Sequence, residues 1–207
     1  MKTKAIDLFT NNAEVVFDSL LENGLLKDIP FLGSVVSALR LKGDVTNYLF
    51  AKKIEAFLSQ LKKGEFEDFD AEIADKEQLQ KIGVDLVFIL EKASNIDKAK
   101  WIAEAVIGLV EKRYNLDTFE RLVYVIERFS PTLKSTLDVW YLKRDLSNGQ
   151  AYAFCFDGDH PEELANLGLL RRTYEAKVAN NGSFPVKFEE CNLGLQLWNI
   201  IEKTHNK

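Results

Sequence analysis

The sequence contains little cysteine and histidine, and its basic residues do not outnumber its acidic residues. Its 207 residues include two cysteines and two histidines, which are too few and too scattered for a zinc site or a disulfide scaffold. This usage predicts a reducing, cytoplasmic compartment. The net charge of −5 argues against general affinity for phosphate backbones. No apolar run reaches the roughly 18 residues of a membrane-spanning helix, and the first residues do not form a signal-peptide apolar region.

Apolar residues recur at three- and four-residue steps through most of the chain, and this spacing predicts helices. The predicted helices cover residues 5–23, 30–41, 45–63, 76–92, 97–113, 118–129, 131–143 and 192–203. Asp97 and Asp117 are expected to cap the helices that follow them. The helix over 45–63 is expected to bury one broad face that includes Leu49, Phe50, Ile54, Phe57, Leu58 and Leu61.

Beyond Asn148-Gly149, short aromatic and alternating segments replace the helical pattern. They predict a strand over 151–156, a short helix near "PEELAN" and a hairpin around "ANNGS". The predicted fold is therefore mainly α: a helical bundle followed by a small α+β part. The predicted domains are an N-terminal helical hairpin region, an acidic connector, a helical bundle and the α+β part, over 1–63, 64–75, 76–147 and 148–207.

Residues 24–44, "GLLKDIPFLGSVVSALRLKGD", form the most apolar stretch of the chain. The helix predicted inside this stretch is about 20 Å long at ~1.5 Å per residue, too short to cross a bilayer core of about 30 Å. The stretch is predicted to be a central helix of a soluble bundle, and the rival interpretation is a segment that enters a membrane. The candidate membrane or helix-partner face consists of Leu25, Leu26, Ile29, Phe31, Leu32, Val35, Val36 and Leu39.

The last third of the chain resembles the second half of a winged-helix domain. The order is a short helix, "LANLGLL", a hairpin and a closing helix that begins "CNLGLQLW". The resemblance implies that Gly168 lets the chain turn into the wing strand. Asn192 and Gly194 stand loosely in place of the Thr-x-x-Gly with which the closing helix often begins.

This resemblance departs from DNA-binding members of the family. The candidate recognition helix carries Glu162 and Glu163, where a DNA reader would place Arg, Lys, Asn or Gln. Residues 130–207 hold 9 basic against 10 acidic residues, a net charge of −1. The resemblance therefore implies a protein-interaction module. If this part does bind DNA, the candidate phosphate contacts are Arg171, Arg172, Lys177 and Lys187.

The front of the chain is similar to small uncharacterised bacterial proteins over "IPFLGSVVSALRLKGDVTNYLFAKKIEAFL" and "DKAKWIAEAVIGLVEKRYNLDTFERLVYVIERF". The overall layout resembles abortive-infection proteins of the Abi-alpha kind. That resemblance implies a bacterial or phage-linked setting and a role in defence, and it carries over no catalytic residue.

The residues offer little for chemistry. Cys155 lies in an aromatic segment where a thiol packs as a small hydrophobe, and "DGDH" at 157–160 is explained by turn formation. There is no Walker loop and no dinucleotide fingerprint. We assign no catalytic, cofactor-binding or metal-binding residue, and expect no enzymatic activity, cofactor or small-molecule substrate.

The expected function is that of a non-enzymatic bacterial interaction or regulatory protein, in a phage-defence or mobile-element context. Its expected partner is another protein or a second copy of itself. One alternative is a membrane-active effector that inserts residues 24–61. The other is a DNA-binding regulator that uses the C-terminal wing, although the charge disfavours nucleic acid.

Overall fold

The computed structural model describes residues 48–61, 76–142, 161–174 and 186–205. The predicted helices over 5–23 and 30–41, the connector 64–75 and the strand 151–156 lie outside these residues. The chain divides into two compact units, Met1–Val123 and Tyr124–Lys207. The domain boundaries expected from the sequence stay predictions.

Helices make up the described part of the first unit. They are α1 (Tyr48–Leu61), α2 (Lys76–Lys92), α3 (Ile96–Val110) and α4 (Leu116–Arg128), the last of which crosses into the second unit. The four helices predicted here from apolar periodicity are therefore present, with ends that differ by a few residues. Periodicity locates a helix well because it reflects the buried face, whereas the ends depend on single capping groups.

The second unit combines helices with a small sheet. A 3₁₀ turn at Pro131–Leu133 leads into α5 (Lys134–Tyr141), and α6 (Pro161–Asn166), β1 (Leu170–Tyr174), β2 (Val186–Glu190) and α7 (Asn192–His205) follow. The two strands pair antiparallel. A mainly helical protein with a small sheet near its C-terminus is thus confirmed, and its winged-helix character stays a prediction.

Helix α3 is the centre of the described first unit. Every residue from Trp101 to Val110 is buried, and α1 packs along α3. A helix that is buried on all sides needs apolar or small residues around its whole circumference. The segment "WIAEAVIGLV" meets this requirement except at Glu104.

The buried Glu104 carboxylate has polar partners. Gln60 Nε2 donates to Glu104 Oε2 at 3.2 Å, and Arg113 Nη2 donates to Glu104 Oε1 at 2.8 Å. A buried carboxylate without such partners would be strongly destabilising. The Gln60 contact therefore also fixes where α1 lies along α3.

Lys53 joins α1 to the end of α2. Its side chain is buried, and Nζ donates to the carbonyl oxygens of Glu91 at 2.6 Å and Ala93 at 2.9 Å. Burial lowers the pKa of Lys53 from its ordinary value, and the charge of Glu91 partly opposes this shift. A lysine at this place satisfies carbonyls that the helix end leaves without an intrahelical partner.

One residue of the predicted α1 core is wrong. Phe50, Ile54, Phe57, Leu58 and Leu61 are buried as predicted, but Leu49 is 43% exposed. Consecutive helical residues point about 100° apart. Leu49 lies about 100° from Phe50 and about 140° from Ile54 around the helix, so it falls outside the face that these residues bury.

The predicted caps Asp97 and Asp117 are also wrong. The side chain of Asn95 caps α3 by accepting the Lys98 backbone N–H at 2.9 Å. Asn115 Oδ1 likewise accepts the Thr118 backbone N–H at 3.0 Å. Both aspartates lie in the first turn of their helices, where a negative charge is favourable but is not the cap.

Helix α3 ends in a Schellman motif that has lysine at the left-handed position. Lys112 has φ 54°, its N–H donates to Leu109 O, and the Arg113 N–H donates to Gly108 O. Glycine is the usual residue at this position because a Cβ is strained there. The predicted helix over 97–113 is therefore too long at its C-terminal end, because no glycine in the sequence indicates that the helix ends at Val110.

The substitution Lys112→Gly should stabilise the protein by about 0.5–1 kcal/mol. It removes a left-handed strain of roughly 1–2 kcal/mol and adds a glycine entropy cost of about 0.5–1 kcal/mol. Urea unfolding followed by circular dichroism measures the change. Lys112→Ala is the matched control, because it removes the same side chain and keeps the Cβ. Equal stabilities of the two variants would contradict the proposed backbone strain.

Candidate interaction surface

The hairpin of the second unit begins at a tight turn after α6. Gly168 has φ +74°, its N–H donates to Ala165 O, and the Leu169 N–H donates to Leu164 O. These bonds form a second Schellman motif, here with the expected glycine. The prediction that Gly168 turns the chain into the first strand is confirmed.

The antiparallel register places the hairpin side chains on two faces. Arg171 is opposite Glu189, Arg172 is opposite Phe188, and the remaining cross-strand pairs follow in step. Because successive side chains alternate between faces, two sets result. One face carries Leu170, Arg172, Tyr174, Val186, Phe188 and Glu190, and the other carries Arg171, Thr173, Lys187 and Glu189.

A single buried hydroxyl links both strands of the hairpin to α5, at the end where Leu170 pairs with Glu190. The Tyr141 hydroxyl donates to Leu169 O at 2.6 Å, just before β1, and accepts the Cys191 N–H at 3.2 Å, just after β2. Burial raises the pKa of Tyr141 above its ordinary value, so the hydroxyl keeps its proton. The Cys191 thiol adds a bond to Gly168 O at 3.1 Å.

Gly194 leaves the space that this hydroxyl occupies. A Cβ at position 194 would overlap the Tyr141 hydroxyl and the backbone carbonyl oxygen of Leu169. The glycine in "CNLGLQ" is therefore required by close approach, since its φ is not positive. The first turn of α7 can lie against the start of β1 because this residue has no side chain.

Polar side chains also connect α7 to α5 at positions beyond the first turn of α7. The Lys134 ammonium donates to Asp138 Oδ2 at 2.8 Å and Glu202 Oε1 at 3.2 Å. Trp198 Nε1 donates to Asp138 Oδ1 at 3.0 Å. Burial lowers the pKa of Lys134, but the two carboxylates raise it by more, so its pKa lies above the ordinary value. The hairpin is therefore supported by α5 and α7, and half-buried charged side chains join these two helices.

Three of the four candidate phosphate contacts lie on the hairpin, Arg171 and Lys187 on one face and Arg172 on the other. Arg171 and Arg172 lie on β1 and Lys187 lies on β2, while Lys177 is outside the described residues. Their neighbours are acidic: α6, β1 and β2 together carry 3 basic and 4 acidic side chains, a net charge of −1.

Arg172 is the more firmly held of the two arginines. Its Nε and Nη2 atoms donate to Glu162 Oε2 at 2.9 and 2.6 Å, and Nη2 also donates to Asn166 Oδ1 at 2.5 Å. Arg171 Nε lies 3.7 Å from Glu189 Oε2 across the strands. Glu162 lies on α6, which the winged-helix resemblance makes the candidate recognition helix, and its carboxylate binds a hairpin arginine.

Two apolar side chains are exposed at the end of the hairpin where β1 ends and β2 begins. Tyr174 is 68% exposed and Val186 is 43% exposed, and they are cross-strand partners on one face. Sequence reasoning named neither residue as part of a site. The alternating segments "LLRRTY" and "FPVKFEE" predict that Tyr174 and Val186 lie on strands. Only the observed register shows that the two side chains lie side by side.

The other predicted face, Leu25 to Leu39, lies outside the described residues. Within the described part of the chain, no helix combines the length and apolar character needed to cross a membrane. The same residues contain no group of three or more His, Cys, Asp or Glu side chains that could hold a metal ion.

Comparisons with protein-family models, curated proteins and solved structures found no match to this chain. The resemblances to winged-helix domains and to Abi-alpha proteins therefore stay predictions. The geometry of the hairpin and its supporting helices is the basis for a functional proposal.

The substitution Gly194→Ala should destabilise the second unit by about 2 kcal/mol, at the upper part of the usual range for overpacking. Its Cβ overlaps a backbone carbonyl, which cannot move as a flexible side chain can. Thermal unfolding followed by circular dichroism and tryptophan fluorescence measures the loss. Asn199→Ala, at an exposed position of the same helix, is the control and should be nearly neutral. A Gly194→Ala variant as stable as this control would rule out the close approach.

Proposed function

We propose that the protein is a non-enzymatic interaction or regulatory protein that works through protein–protein contacts made by its C-terminal hairpin. We define the hairpin surface as the exposed side chains of β1 and β2: Tyr174 and Val186 on one face, and Arg171, Lys187 and Glu189 on the other. The defence setting implied by the Abi-alpha resemblance stays a separate prediction.

The exposed Tyr174–Val186 pair is the observation that carries this proposal. Isolated exposed apolar residues are ordinary on protein surfaces. Here a tyrosine and a valine lie directly opposite each other at the end of a hairpin. The charged residues Arg171, Lys187 and Glu189 lie on the opposite face of the hairpin. Tyrosine is enriched in protein interfaces because it buries a large apolar ring and still offers a hydroxyl.

The charge distribution favours a protein partner over phosphate. A phosphate-binding surface needs cations that are available to displace counterions. The Arg172 guanidinium is already bound by Glu162 and Asn166, and Arg171 lies near Glu189. A mixed surface of this kind suits the polar rim of a protein interface.

Affinity capture with the full-length chain from its native cell tests the proposal. The double variant Tyr174→Ser/Val186→Ser should lower recovery of the specific partner at least about tenfold, because truncating interface anchors costs 1–2 kcal/mol or more. Tyr124→Ser is the matched control, since Tyr124 is also exposed but lies on α4. Equal recovery by all three proteins would reject the hairpin surface.

A gel-shift at low salt, run on the same proteins, tests the DNA-binding alternative. We expect no shift. A shift that disappears in Arg171→Ala/Lys187→Ala would support the wing as a phosphate-binding element instead.

A further inference from the structure

We draw no further inference here: the strongest candidate, the exposed apolar pair Val84 and Phe88 on one face of α2, carries nothing because nothing in the described part of the chain shows what covers that face.

Discussion

The Tyr141 hydroxyl is the contact on which the geometry of the hairpin depends. It reaches Leu169 O before β1 and the Cys191 N–H after β2, so one side chain of α5 holds both strands at the end of the sheet where Leu170 pairs with Glu190. A hairpin of this size is only marginally stable by itself. Packing against α5 and α7, which Gly194 allows to lie close, supports it. Tyr174 and Val186 are exposed at the end remote from this support.

The first unit satisfies its buried polar groups by a different means. There α3 is buried from Trp101 to Val110, and its one buried carboxylate, Glu104, is paired with Gln60 and Arg113. Lys53 satisfies two carbonyls near the end of α2. Buried polar groups of this kind add little net stability, but they make misaligned packing costly. They therefore fix the positions of helices that apolar contacts alone would allow to slide.

Apolar periodicity was sufficient to predict the helices and the hairpin of the described residues, because burial of one face leaves a direct trace in the sequence. The ends of the helices were less predictable. Glycine at position 168 indicates a Schellman motif, whereas Lys112 forms the same motif with φ 54° at a residue type that does not predict it. The alternating pattern was sufficient to place Arg171, Arg172 and Lys187 on the hairpin, but the faces they occupy and the carboxylate partners of the two arginines depend on the turn after α6 and on strand register. Tyr141 could not be singled out, because its role depends on backbone atoms distant in sequence.

Amide hydrogen exchange on the full-length chain, with and without Tyr141→Phe, tests this account most directly. Removing the hydroxyl should leave the apolar packing of the ring intact and release both strands at the end of the hairpin next to α5. We expect faster exchange of the β1 and β2 amides and of the Cys191 amide, with unchanged exchange in α3. Unchanged exchange throughout the hairpin would contradict the claim that Tyr141 holds it in place.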